Sequence, residues 1–131
     1  MKKKNCVCEF SSERSEVLIR NYREALARAS KISIMKIFGD LSQAPAPRFW
    51  VSEARAVNVV KQLMKDDKAL DGMHTEKRKM YLEIYRRVME MKEESPEMPL
   101  GDIVFEVVNS PAPSFYLSKA SVAKLIYSSR R

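Results

Sequence analysis

The segment Pro45-Ala46-Pro47-Arg48-Phe49-Trp50-Val51-Ser52-Glu53-Ala54 returns as Pro111-Ala112-Pro113-Ser114-Phe115-Tyr116-Leu117-Ser118-Lys119-Ala120. Six of the ten positions are identical, and Trp50/Tyr116 and Val51/Leu117 keep aromatic and aliphatic character. The offset, from 46 to 112, is 66 residues. It continues upstream through Ile34/Leu100, Ile37/Ile103 and Leu41/Val107, and downstream through Ala56/Val122 and Val60/Ile126. A second stretch matches at an offset of 63, with Ser12-Glu13-Arg14 against Thr75-Glu76-Lys77, Val17 against Met80 and Tyr22-Arg23 against Tyr85-Arg86. The difference of three residues falls in the 93–99 region, which reads as a loop. A duplication constrains the fold strongly, because both copies must form the same kind of unit.

Each copy reads as three helices. Apolar positions recur at helical spacing over about 12–29 and 75–92, and Ser12 and Thr75 are expected as N-caps with an acid in the next position. A short second helix is expected over about 32–41 and 99–108, with Pro99 in the first turn of the latter. Third helices start after Ser52 and Ser118, both good N-caps, and run to about Met64 and Tyr127. Val51 and Leu117 precede those caps and can pack on Ala56 and Val122 as hydrophobic staples. The prolines bar continuation of the second helix and favour extended backbone before them. Phe49 and Phe115 are expected to plug the core, with Trp50 and Tyr116 partly buried beside them.

The expected fold is therefore all-α: a tandem duplication of a three-helix unit, about six helices packed as one compact domain. Residues 1–11 are expected as a basic, poorly ordered tail, 12–66 as the first repeat, 67–74 as a linker and 75–131 as the second repeat. A unit of about 55 residues is marginal alone, so the copies are expected to share apolar surface through their first helices.

Composition narrows the function. With 3 Gly, 1 His and 2 Cys, the chain carries no Gly-rich phosphate loop, nor a His near either cysteine. No acid pair recurs in both copies, and the acids Glu90, Glu93, Glu94 and Glu97 read as a solvated helix end. An enzyme, a cofactor and a small-molecule substrate are not expected. Cys6 and Cys8 are too close for an unstrained disulfide, and zinc requires about four ligands, so reduced thiols and no metal are expected. Lone His74 reads as an exposed cap-region residue. No run approaches the roughly 20 apolar residues of a membrane span, and no apolar core follows the initial lysines as in a signal peptide. A cytoplasmic protein with no membrane contact is the expectation.

The net charge is +7. Residues 1–66 hold 13 Lys/Arg against 7 Asp/Glu, and residues 67–131 hold 11 against 10. Such an excess suits phosphate neutralisation as well as a merely charged surface. On the first copy's third helix, Arg55, Asn58 and Gln62 share one stripe with Lys61 close by. Arg pairs bidentately with guanine, and Asn or Gln with adenine, in the major groove. The corresponding surface in the second copy offers Lys119, Ser121 and Lys124, followed by Arg130. The first helices add further cations, among them Arg14, Arg20, Arg23, Lys77, Lys79, Arg86 and Arg87, some expected to pair with glutamates as Glu83 and Arg87 would at i, i+4. Others can hold DNA backbone.

The order helix, short helix, Pro-Ala-Pro-x-Phe-aromatic-x-Ser, helix resembles small helix-turn-helix-type DNA-binding proteins of bacterial phages and mobile elements, over about residues 32–64 and 99–128. The resemblance implies double-stranded DNA as partner, with a regulatory or recombination accessory role and a homodimer or protein partner beside it. This chain departs in its link between second and third helices, roughly 42–51, against a usual turn of three to four residues. The other reading is a helical protein–protein adaptor without nucleic-acid binding. Eight methionines, Met80, Met89 and Met91 among them, suit an adaptable apolar surface.

Overall fold

In the computed structural model the described residues are 10–28 and 34–129. They form six helices: α1 (Ser11–Arg28), α2 (Ile34–Gln43), α3 (Glu53–Lys65), α4 (Thr75–Glu94), α5 (Leu100–Val108) and α6 (Lys119–Ser129). No strand is present among the described residues. Cys6, Cys8 and most of the basic tail lie outside them.

The third helices start as their sequence directs. The Ser52 hydroxyl accepts from the Arg55 amide at 3.2 Å, and the Ser118 hydroxyl from the Ser121 amide at 3.1 Å. Each satisfies a first-turn N–H that the helix leaves without a partner. Val51 and Ala56 are both buried, at 4% and 0% exposure, as a staple requires. The first helices cap differently from expectation. α4 is preceded by His74 with no side-chain cap bond, so Thr75 is its first residue, and α1 already includes Ser11. On α3 the buried face is Ala56, Val59, Val60 and Leu63, and Met64 near its end is 40% exposed.

Packing does not follow chain order. α1, α2 and α6 pack on one another, as do α3, α4 and α5, and no other pair of helices approaches closely. The expected contact through the first helices is corrected: no Cα of α1 lies within 8 Å of one in α4. Each trio takes its third helix from the other half of the chain.

The links explain this. A three- to four-residue turn would fold α3 back onto α2, whereas about nine extended residues reach roughly 30 Å, enough to cross the molecule. The two links cross at one antiparallel bridge. The Ala46 amide donates to the Ala112 carbonyl and the Ala112 amide to the Ala46 carbonyl, both at 2.9 Å. Prolines 45, 47, 111 and 113 flank the pair and have no N–H, so a longer ladder cannot grow. By contrast, the segment after α3 folds as successive turns, with Leu70 buried at 3%, and joins two helices of one trio.

The buried residues of all six helices and both links form a single cluster. Phe49 and Phe115 are its plugs, at 0% and 2% exposure, and Trp50 is buried beside them. Ring pairs stitch the seam: Phe49 stacks with Tyr116 at 6.1 Å between centroids, and Trp50 meets Phe115 at the same distance.

Candidate functional site

A cleft of about 820 Å³ opens beside this seam. One wall is α3, which presents Arg55, Asn58 and Gln62; the other is the start of α4, with Lys77 and Met80. The crossing links supply Trp50, Phe115 and Tyr116, and Arg14 reaches in from α1. Among the described residues no aspartate or glutamate lines it.

α3 offers these residues because its opposite face is committed to the core. Ala56, Val59, Val60 and Leu63 are buried, so Arg55, Asn58 and Gln62 must face away from it. Ala54, exposed and short, leaves the first turn open to close approach. The link holds its position through Arg48, which donates to the Phe49 and Val51 carbonyls, both at 2.9 Å, and to Asn109 Oδ1 at 3.2 Å. Its guanidinium lies 3.9 Å from the centre of the Phe10 ring. In the second link Ser114 takes that position; its hydroxyl donates to the Ser42 carbonyl at 3.0 Å and accepts from the Tyr116 amide at 2.9 Å.

Tyr116 has a φ of 57°, in the left-handed region that costs a side-chain-bearing residue about 1–2 kcal/mol. Its stacking on Phe49 and the turn closed by Ser114 hold it there. Burial, reinforced by the nearby negative charge of Glu83, keeps its phenol protonated further above the ordinary range.

Several cations on α2 and α4 are neutralised. Lys36 pairs with Asp40, Lys79 with Glu76, Arg86 with Glu83 and Glu90, and Arg87 with Glu83 at 2.7 Å. Arg87 also donates to the Pro111 carbonyl at 3.0 Å, so it is a brace for the second link. The side chains of Arg14, Arg55 and Lys77, like those of Lys61, Lys119 and Lys124 outside the cleft, make no ion pair among the described residues. The Nε of Arg14 is buried without a hydrogen-bond acceptor among the described residues.

The structure brings three of the sequence-derived candidates, Arg55, Asn58 and Gln62, into the cleft. Lys61 is exposed on α3 outside its lining. Lys119, Ser121 and Lys124 lie on α6 in the other trio and do not join it. Lys119 and Lys124 are exposed, with the Lys119 stem running over Gly39 of α2, whereas Ser121 is engaged with the Ser118 cap at 3.0 Å. Arg130 lies outside the described residues. The sequence reading counted Arg14 and Lys77 among many first-helix cations and did not single them out. The signal was present, since they align with each other at the 63-residue offset, from 14 to 77.

No protein family, curated protein or solved structure was found to match the chain.

Proposed function

We propose that this protein binds double-stranded DNA, with α3 as its principal reading helix and α6 as a second, divergent one. The observation that carries the reading is the cleft: Arg55, Asn58 and Gln62 in one acid-free groove with two further uncompensated cations, Arg14 and Lys77. Phosphate contacts from such cations supply affinity, and the amide side chains on α3 have the donor and acceptor pattern that adenine presents in the major groove. A sufficiently large neutral or acidic lining would have argued against a polyanion.

The scaffold in this proposal is a duplicated unit with exchanged third helices. Two facts support it. Exchanging α1 with α4, α2 with α5 and α3 with α6 maps the set of packed helix pairs onto itself. The bridge joins Ala46 to Ala112, equivalent positions of the repeated segment. A pseudo-twofold through that bridge would present two third helices to one duplex, as a homodimer presents two recognition helices to half-sites. Because Arg55, Asn58 and Gln62 face Ser121, Lys124 and Ser128 in the comparison of copies, the two half-sites would differ. A regulatory or recombination accessory role, as in the phage and mobile-element proteins the sequence resembles, fits such a reader.

Fluorescence anisotropy with random-sequence duplex DNA at low salt tests the proposal. Binding that weakens steeply with added salt is expected, and a double change of Arg55 and Lys124 to Ala should weaken it further. Absence of salt-sensitive binding overturns the reading. The adaptor reading then takes its place, on the strength of Phe105 and Met35, large apolar side chains that are 53% and 54% exposed.

A further inference from the structure

Arg14 is an anomaly for a purely structural side chain. Arginine is placed with its Nε out of contact with solvent only at a cost, because a buried donor without an acceptor loses its hydration and regains nothing. Three other arginines, Arg48, Arg86 and Arg87, spend guanidinium donors on carbonyls or carboxylates. Arg14 instead faces a cleft that contains two more cations and no acid. Three positive groups gathered without a counter-charge repel one another in the free protein, and an anion relieves all three at once.

The origin of the three groups adds a second point. Arg14 belongs to α1, held with α2 and α6, whereas Arg55 and Lys77 belong to α3 and α4 of the other trio. The cleft therefore lies across the seam where the links pass each other. An anion held by all three would tie one trio to the other where α1 does not pack on α3 or α4.

We propose that Arg14, Arg55 and Lys77 form a phosphate-binding site across the seam between the helix trios, and that its ligand is a backbone phosphodiester of nucleic acid. The inference deepens the DNA reading above and rests on it for the source of the phosphate. Arg14 supplies directed guanidinium donors from α1, Arg55 and Lys77 supply charge from the α3 and α4 walls, and Trp50 and Tyr116 line the cleft beside them. The site positions the duplex on the protein and carries no base information of its own; that remains with Asn58 and Gln62. An acidic peptide would satisfy the same charges, and the titration below separates it from a phosphate.

The chain's single tryptophan, Trp50, lines the cleft and reports on it directly. The full-length protein is titrated at low salt with inorganic tripolyphosphate, with poly-glutamate and, separately, with labelled duplex DNA. A saturable change in Trp50 emission with tripolyphosphate, much weaker with poly-glutamate, is expected. Arg14→Met should lower the tripolyphosphate and duplex affinities by about tenfold or more while its thermal midpoint stays level or rises, since an unsatisfied donor has been removed. Unchanged affinity in Arg14→Met overturns the site. If that variant fails to fold, Lys77→Gln decides, and its unchanged affinity overturns the proposal equally. Poly-glutamate binding as tight as tripolyphosphate overturns the phosphodiester assignment. The arms separate the two readings. A tripolyphosphate response that depends on Arg14, with no duplex binding, keeps the site and removes the DNA reading. Duplex binding indifferent to Arg14 keeps the DNA reading and removes the site.

Discussion

Ala46 and Ala112 each donate to and accept from the other, at 2.9 Å in both directions, with their side chains 3% and 2% exposed. This one pair is where the two links touch backbone to backbone, and both trios depend on the links for the placement of their third helices. Side chains larger than a methyl have no room at such a crossing.

Ala112→Leu is therefore expected to destabilise the protein by about 1–3 kcal/mol through overpacking. Urea unfolding followed by Trp50 fluorescence measures it, and Ala112→Gly, which keeps the backbone bonds, should cost less than the leucine.

The packing of α3 with α4 and α5, and of α6 with α1 and α2, predicts how the halves behave apart. Fragments 1–66 and 67–131 each lack a helix that completes their trio, so neither should show a cooperative thermal transition in far-UV circular dichroism. Mixed at equal concentration they should regain helicity and a transition. A stable monomeric 1–66 fragment would contradict the packing described above.

For the proposed DNA binding, Arg55 and Lys124 distinguish α3 from α6. Arg55→Ala removes one cleft cation and should reduce the slope of log affinity against log salt by about 1. Lys124→Ala, on α6 outside the cleft, should alter total affinity less at the same salt. Anisotropy titrations at several salt concentrations give both slopes.

Glu83 predicts an acid-side effect. Its carboxyl sits below the ordinary glutamate value, first because Arg86 donates to it, with Arg87 adding a further bond and burial opposing both. A lowered folded value means the charged form is stabilised by folding, so its contribution is complete above the unfolded value of about 4.3. It is lost as pH falls through the lower folded value. The thermal midpoint of the wild type should exceed that of Glu83→Gln by a constant margin above about pH 5, and the margin should close in more acidic solution. Because Arg86, the partner that lowers Glu83 most, is 55% exposed, the margin should be small and shrink with salt.

Much of the local structure was legible in the residues. Ser52 and Ser118 cap their helices as their position before an apolar-periodic run predicts, because N-capping is decided within one turn. Phe49 and Phe115 were identifiable as core because the same aromatic recurs after the same prolines. The α3 stripe of Arg55, Asn58 and Gln62 followed from helical spacing alone. The caps of α1 and α4 were misread because Ser12 and Thr75 are equally acceptable inside a first turn, and only backbone geometry distinguishes the two.

What the chain's own order could not determine is which helices pack together. Helix boundaries depend on neighbours in sequence, but the choice between α3 folding back on α2 and crossing to α4 and α5 depends on a link long enough for either. The Pro-Ala-Pro segments keep that link extended, and the reciprocal Ala46–Ala112 bridge settles its course. The same tertiary choice brings Arg14 from one trio to Arg55 and Lys77 of the other, a juxtaposition that no spacing along the chain contains. The residue types and their helices were thus determined locally, whereas the site was decided by long-range packing.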